Sequence, residues 1–81
     1  MVDERIRKLF AEVLSPAVAA ALNADSSMET VEGWDSQTFV SLIVAIETEF
    51  GVILSGLDAA RMNSLRAIVD VLGEKGVRLA S

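Results

Sequence analysis

Segment 36–50 carries the strongest helical pattern in the sequence, and this pattern constrains the fold more than any other feature. Its apolar residues recur every three or four positions, so they fall within an arc of about 100° on a helix. The predicted buried face consists of Phe39, Leu42, Ile43, Ile46 and Phe50. The opposite side carries Gln37, Ser41, Val44 and Thr48, with Val40 and Glu47 on the flank next to Ser36. Gly51 is expected to end the helix.

Two other segments have the same periodicity. A first helix is predicted from the shared face of Ile6, Leu9, Phe10, Val13 and Leu14. Ser15-Pro16 stops that helix and also allows residues 17–22 to continue as one or two helical turns at a new angle. A last helix, capped by Asn63-Ser64 and expected to stop at Gly73, is predicted from the shared face of Leu65, Ile68, Val69 and Leu72.

The remaining segments are predicted to be connectors and one short helix. Residues 23–34 are rich in turn-forming residues and indicate a long, pinned loop, while residues 57–62 are long enough for a short helix. The apolar run 52–54 could form a strand, but no second strand signal exists to pair with it, so a buried connector is expected. The predicted fold is therefore all-α, a small four-helix bundle of three main helices and one short helix, in a single domain over residues 1–81.

The chain of 81 residues lacks the side chains that most enzymes of this size would need. It contains no Cys, His or Tyr, which excludes disulfides, thiolate and imidazole metal sites and the Ser-His and Cys-His nucleophile pairs. A calcium loop counted from Asp25 also fails, because Thr30 stands where glycine is needed and Ser36 where a bidentate Glu is needed. We therefore expect a carrier or adaptor, without a metal, and not an enzyme.

Charge is distributed unevenly along the chain, whose net charge is -5. Between Lys8 and Arg61 there is no basic residue, and that stretch holds eight acids: Glu12, Asp25, Glu29, Glu32, Asp35, Glu47, Glu49 and Asp58. Such a block repels phosphate backbones and anionic lipid surfaces, so we expect a basic protein partner and no nucleic acid. The charged N-terminus lacks the apolar run of a signal peptide, and no run is long enough to span a bilayer, so we expect a cytoplasmic protein.

Ser36 stands at the very start of the strongest helix, after Gly33-Trp34-Asp35. Free backbone N–H groups and the positive end of the helix dipole meet there, which stabilises a bound or attached phosphate. The alternative is that Asp35 or Ser36 serves only as a helix cap, a common role for both residue types.

The surrounding segment resembles the phosphopantetheine attachment region of the acyl carrier protein family. The residues that carry the resemblance are Asp35-Ser36 followed by Phe39, Val40, Leu42, Ile43, Ala45, Ile46, Glu47, Glu49, Phe50 and Gly51. In that family an Asp-Ser-Leu motif opens the second of four helices, and its serine receives 4'-phosphopantetheine from coenzyme A. The similarity continues through Ile53, Ala59, Met62, Ser64 and Ile68, and more loosely back to the first helix.

The resemblance implies roles for particular residues. Ser36 would be the attachment site, and Asp35 would orient it or help a phosphopantetheinyl transferase to position metal and coenzyme A. Acyl cargo would be tethered as a thioester on the prosthetic thiol, and partner enzymes would supply the catalysis. Part of the acyl chain would enter a cleft lined by Phe39, Leu42, Ile46, Phe50, Ile53, Met62 and Ile68, each of which is also an ordinary core candidate.

Three departures from the family pattern affect the expected partners. Gln37 replaces the motif's leucine, Ser41 and Thr48 stand where fatty-acid carriers place acids, and segment 57–62 is poor in acids. The expected docking face consists of Gln37, Val40, Ser41, Val44, Glu47 and Thr48. We therefore expect a monomeric carrier in a specialised lipid or polyketide-type pathway, whose loading, synthase or acyltransferase partners have basic or apolar docking patches.

Two alternatives stay open at this point. An aminoacyl, peptidyl or D-alanyl carrier protein would share the fold and the serine. An unmodified helical interaction module would share the fold without the cofactor, and modification of Ser36 distinguishes it from a carrier.

Overall fold

The computed structural model describes residues 2–79, which form five helices. Their bounds are Glu4–Val13 (α1), Pro16–Ala21 (α2), Ser36–Phe50 (α3), Gly56–Arg61 (α4) and Leu65–Glu74 (α5). Within this range the only β-type pairing is an isolated bridge between Ser27 and Ser64. The predicted all-α bundle is confirmed, with α2 as the short continuation that the Ser15-Pro16 pair allows.

Each helix begins at a residue whose side-chain oxygen accepts a backbone N–H from the first turn. These N-caps are Asp3, Ser15, Asp35, Ser55 and Ser64. Such caps satisfy donors that have no partner inside the helix. At the other end of α3, Gly51 adopts a left-handed conformation with φ of 64°, which confirms it as the stop.

One hydrophobic core joins α1, α3, α5 and the long loop. Phe10 of α1 and Trp34 of the loop lie at its centre, with ring centroids 4.9 Å apart and ring planes at 82°. This edge-to-face geometry is favourable for aromatic pairs. The other fully enclosed side chains are Ile6, Leu42, Ile46, Met62, Ile68, Val71 and Leu72. Trp34 therefore anchors the loop immediately before α3.

The buried face of α3 is narrower than predicted. Leu42 and Ile46 are buried, whereas Phe39, Ile43 and Phe50 are only half-buried. Ala45, which lies beyond Leu42 around the helix, packs against the core. Compared with the predicted orientation, the helix is rotated about its axis so that the Leu42 side faces the core. Phe39 and Phe50 therefore lie at the edge of the core.

On α5 the prediction for Val69 is wrong. Val69 is exposed and Val71 is buried in its place. Val69 lies about 70° and Val71 about 90° from the centre of the Leu65, Ile68 and Leu72 stripe, on opposite sides. Periodicity therefore favours Val69 only slightly, and packing against the other elements buries Val71 instead. The helix also continues one residue past Gly73, to Glu74.

Backbone hydrogen bonds hold the long loop in place. Met28 N donates to Asn63 O at 3.0 Å, and Leu65 N donates to Ser26 O at 2.9 Å. These bonds join the loop to the start of α5 and confirm that the loop is pinned.

The connector 52–54 is not fully buried, and the prediction is wrong at Ile53. Val52 and Leu54 are half-buried and pack against the core, but Ile53 is 85% exposed. Side chains alternate in direction along an extended segment, so burying the two neighbours turns Ile53 outward.

Charged pairs connect α4 to α5. Arg61 forms a bidentate ion pair with Glu74, at 2.8 and 2.7 Å, and Lys75 lies 2.8 Å from Asp58. None of the residues of α4 itself is buried. Among residues 2–79, no helix is both long and apolar enough to cross a membrane.

Candidate functional site

Asp35 forms the cap at the start of α3. Its Oδ1 accepts hydrogen bonds from Gln37 N at 2.9 Å and Thr38 N at 3.2 Å. In return, Thr38 Oγ1 accepts a hydrogen bond from Asp35 N at 3.1 Å. This reciprocal arrangement is a capping box, and it fixes where the helix begins.

Gly33 sets the path of the chain into this cap. Its φ is 87°, in the left-handed region that side chains disfavour. The Thr38 hydroxyl donates to Gly33 O at 2.6 Å, so the turn before the cap is tied to the first turn of the helix. The backbone on both sides of Ser36 is therefore held in place.

Ser36 is left free by this arrangement. It is the first helical residue and is exposed, and its hydroxyl makes no hydrogen bond within residues 2–79. Because Asp35 supplies the cap, the hydroxyl of Ser36 has no structural role that would compete with modification. Asp35 thus takes the capping role that the sequence assigned to either residue.

The predicted docking face of α3 is exposed except at one position. Gln37, Ser41 and Thr48 are exposed, and Val40 and Val44 are 63% and 54% exposed. Glu47 is half-buried, and its Oε2 accepts a hydrogen bond from Leu54 N at 2.9 Å. Glu47 therefore holds the connector after α3, in addition to lying at the edge of this face.

The residues predicted to line an acyl cleft occupy three different environments. Leu42, Ile46, Met62 and Ile68 are at most 1% exposed and belong to the core. Phe39 and Phe50 are half-buried at the edge, where the Arg5 guanidinium lies 4.9 Å from the Phe50 ring centroid. Ile53 is exposed, so it does not line the interior with the others.

Electrostatic effects are concentrated where α4 meets α5. The hydrogen bond with Lys75, together with the hydrogen bond from Ser55 N, lowers the pKa of Asp58 to about 2. The hydrogen bond with Arg61 lowers the pKa of Glu74 below its usual value. These two carboxylates therefore help to hold α4 against the C-terminal end of α5.

Comparison with known proteins gives this geometry a context. The family model described as "Phosphopantetheine attachment site" matches residues 4–72. An acyl carrier protein of Buchnera aphidicola subsp. Schizaphis graminum is 32% identical over 74 residues, covering 91% of this chain and 92% of the relative. Acyl carrier protein 2 of Pseudomonas aeruginosa is 33% identical over 73 residues, covering 90% and 91%.

The chain belongs to the acyl carrier protein family. As a member it is a carrier and not a catalyst, its cofactor is 4'-phosphopantetheine, and its partners are synthase and transferase enzymes.

The start of α3 fits the phosphate end of that cofactor. Ser36 offers an exposed hydroxyl without a competing hydrogen bond, at the end of a 15-residue helix where the dipole favours negative charge. Hydrogen bonds of Thr38 to Asp35 and to Gly33 hold the backbone that carries this hydroxyl.

Sequence reasoning missed two residues of the site. Thr38 was not recognised as the reciprocal partner of Asp35, although Asp followed three residues later by a hydroxyl side chain was a usable signal. Gly33 falls within the predicted loop 23–34, and the sequence alone does not determine its positive φ. Both residues hold the backbone on either side of Ser36.

Proposed function

We propose that this protein carries acyl groups as thioesters on a 4'-phosphopantetheine arm attached to Ser36 and presents them to partner enzymes. The observation that supports this proposal best is the exposed, unbonded Ser36 hydroxyl at the capped start of α3. When bound, the arm supplies a thiol that accepts an acyl group as a thioester.

Attachment requires one group transfer from coenzyme A. The Ser36 Oγ forms a bond to the phosphorus that bears pantetheine, and the bond between that phosphorus and the bridging diphosphate oxygen breaks. The adenosine bisphosphate half of coenzyme A leaves, and the hydroxyl proton passes to a base of the phosphopantetheinyl transferase.

Asp35 supports this reaction through its position. Its Oδ1 is used by the cap, while its Oδ2 makes no hydrogen bond within the described residues. The free oxygen is available to the transferase's metal ion or to coenzyme A, next to the serine that reacts.

The exposed face of α3 supports a specialised role. Val40 and Val44 project from it, and Gln37, Ser41 and Thr48 add no charge. Exposed valines of this kind favour contact with an apolar patch on a partner. We therefore propose a role in a specialised lipid or polyketide-type pathway, with loading, synthase or acyltransferase partners whose docking patches are apolar as well as basic. We also propose that the carrier is monomeric, cytoplasmic and a single domain.

Intact-mass measurement tests the attachment. The protein is incubated with coenzyme A and a broad-specificity phosphopantetheinyl transferase, and we expect the mass to rise by one phosphopantetheine. Ser36→Ala should abolish the increase, while Ser41→Ala, an exposed serine on the same helix, should preserve it. An unchanged mass with several transferases would refute the proposal.

A further inference from the structure

Two open pockets adjoin on the side of the molecule formed by α2 and the long loop. The first has a volume of about 500 Å³, and its apolar lining includes Ala17, Val18, Ala21, Leu22 and Val31. The second has a volume of about 390 Å³ and is lined in part by Leu14, Gly33 and Thr38. Val18 and Glu32 line both pockets, so the two are neighbours, and together they are here called the α2 groove.

The α2 groove begins next to the proposed attachment site. Gly33 and Thr38, which line its near end, lie three residues before and two residues after Ser36. Thr38 lies only about 3 Å along the helix axis from Ser36, but about 160° around it. A flexible arm on Ser36 would therefore reach the groove by passing over the start of α3.

We infer that the α2 groove is a resting site for the phosphopantetheine arm, an inference that rests on the proposed attachment at Ser36. The arm combines apolar methyl and methylene groups with two amides, and the groove combines an apolar lining with a polar edge. Glu32 lines both pockets and is exposed, and its carboxylate makes no hydrogen bond or ion pair within residues 2–79. It is therefore free to accept a hydrogen bond from an arm amide.

Tethering favours occupation of the α2 groove by the phosphopantetheine arm over a free small molecule of the same affinity. A group on a short flexible tether experiences an effective concentration in the millimolar range. A shallow, open groove of weak intrinsic affinity is therefore filled by the arm, whereas the same groove would stay empty for an untethered ligand at cellular concentrations.

The core offers the arm a less accessible alternative. Four core side chains that could receive the arm are at most 1% exposed: Leu42, Ile46, Met62 and Ile68. The end of the arm could enter between them only by separating packed side chains. The α2 groove is already open and requires no such rearrangement.

The test uses the thiol at the end of the arm. Because the chain contains no Cys, this thiol is the single thiol of the loaded protein, and it can be labelled selectively with a nitroxide. We expect the label to broaden the amide NMR signals of Val18, Ala21 and Val31 more than those of Met62 and Ile68. We also expect the unlabelled thiol to be alkylated roughly threefold more slowly than free pantetheine, since only the undocked fraction reacts.

A matched pair of variants examines the groove itself. Ala20 and Ala21 are both exposed on α2, but only Ala21 lines the groove. Ala21→Phe should fill the groove, restore rapid alkylation and remove the selective broadening, while Ala20→Phe should change neither.

The outcomes separate the two proposals. A failure of Ser36 to load, seen as an unchanged mass, would refute the proposed function and this inference with it. Normal loading with broadening centred on Met62 and Ile68, or with weak uniform broadening, would overturn the groove alone. Equal behaviour of Ala20→Phe and Ala21→Phe would also overturn it.

Discussion

The Thr38 hydroxyl donates a hydrogen bond to the carbonyl oxygen of Gly33, with 2.6 Å between the two oxygens. This bond spans Ser36 and joins the end of the long loop to the first turn of α3. The backbone position of Ser36, the proposed attachment site, therefore depends on the Thr38 side chain.

Thr38→Val should remove both the bond to Gly33 and the reciprocal half of the capping box. We expect a loss of about 1 kcal/mol in the free energy of unfolding, and slower loading of Ser36 as the helix start frays. Thr48→Val is the matched control, because Thr48 only donates to Val44 O within the same helix. Urea unfolding and loading rates would show whether the two variants differ; equal effects would contradict a special role for Thr38.

Leu42→Ala should destabilise the protein more than Phe50→Ala. The Leu42 side chain is 1% exposed, and truncating such a residue costs about 2–5 kcal/mol. Phe50 is half-buried, so its truncation removes fewer contacts, although it also removes the ring beneath Arg5. Thermal or urea unfolding measures the stability of both variants. A larger loss of stability for Phe50→Ala would contradict the placement of Phe50 at the edge of the core and Leu42 inside it.

Val44→Asp should weaken recognition by a partner enzyme while leaving helicity intact. Burying one valine is worth about 1.5 kcal/mol, so we expect a decrease of about tenfold in kcat/KM for loading or transfer.

Glu47→Gln is the comparison for this variant. Glutamine keeps an oxygen that can accept from Leu54 N, so we expect a change of less than about twofold. Kinetics at two salt concentrations complete the test. Strong salt dependence together with a tolerant Val44 would show that the acids dominate docking.

Asp58 makes stability depend on pH below neutrality. Its pKa in the folded protein is about 2, below the ordinary value of 3.8, so the folded state favours the charged carboxylate. The resulting stabilisation is present above about pH 4 and is lost as the pH falls toward 2. Urea-unfolding midpoints measured between about pH 4 and about pH 2 should fall less steeply with pH in Asp58→Asn than in the unchanged protein. An equal pH dependence in the two proteins would contradict the stabilising role of the Asp58–Lys75 pair.

Helix positions were largely predictable because each helix has local signals. The bounds of α3 match the prediction, since Asp35 caps its start and Gly51 permits the left-handed stop. The direction in which each helix faces was less predictable. It depends on packing between elements, which is why Val71 is buried in place of Val69 and why Phe39 and Phe50 lie at the edge of the core.

The site was predictable only in part for a similar reason. Ser36 and Asp35 stand out by their position in the chain and by family resemblance. The role of Glu47 in holding Leu54 and the exposure of Ile53 both depend on the path of the connector, which has no periodic pattern. The α2 groove arises where a loop packs beside a helix, an arrangement that local sequence signals do not encode.

Peptide mapping of the protein loaded by a phosphopantetheinyl transferase tests the central claim most directly, because it assigns the added mass to a single residue. We expect all of the added phosphopantetheine on Ser36. Added mass on another serine, such as Ser41, or no added mass at all, would contradict the account.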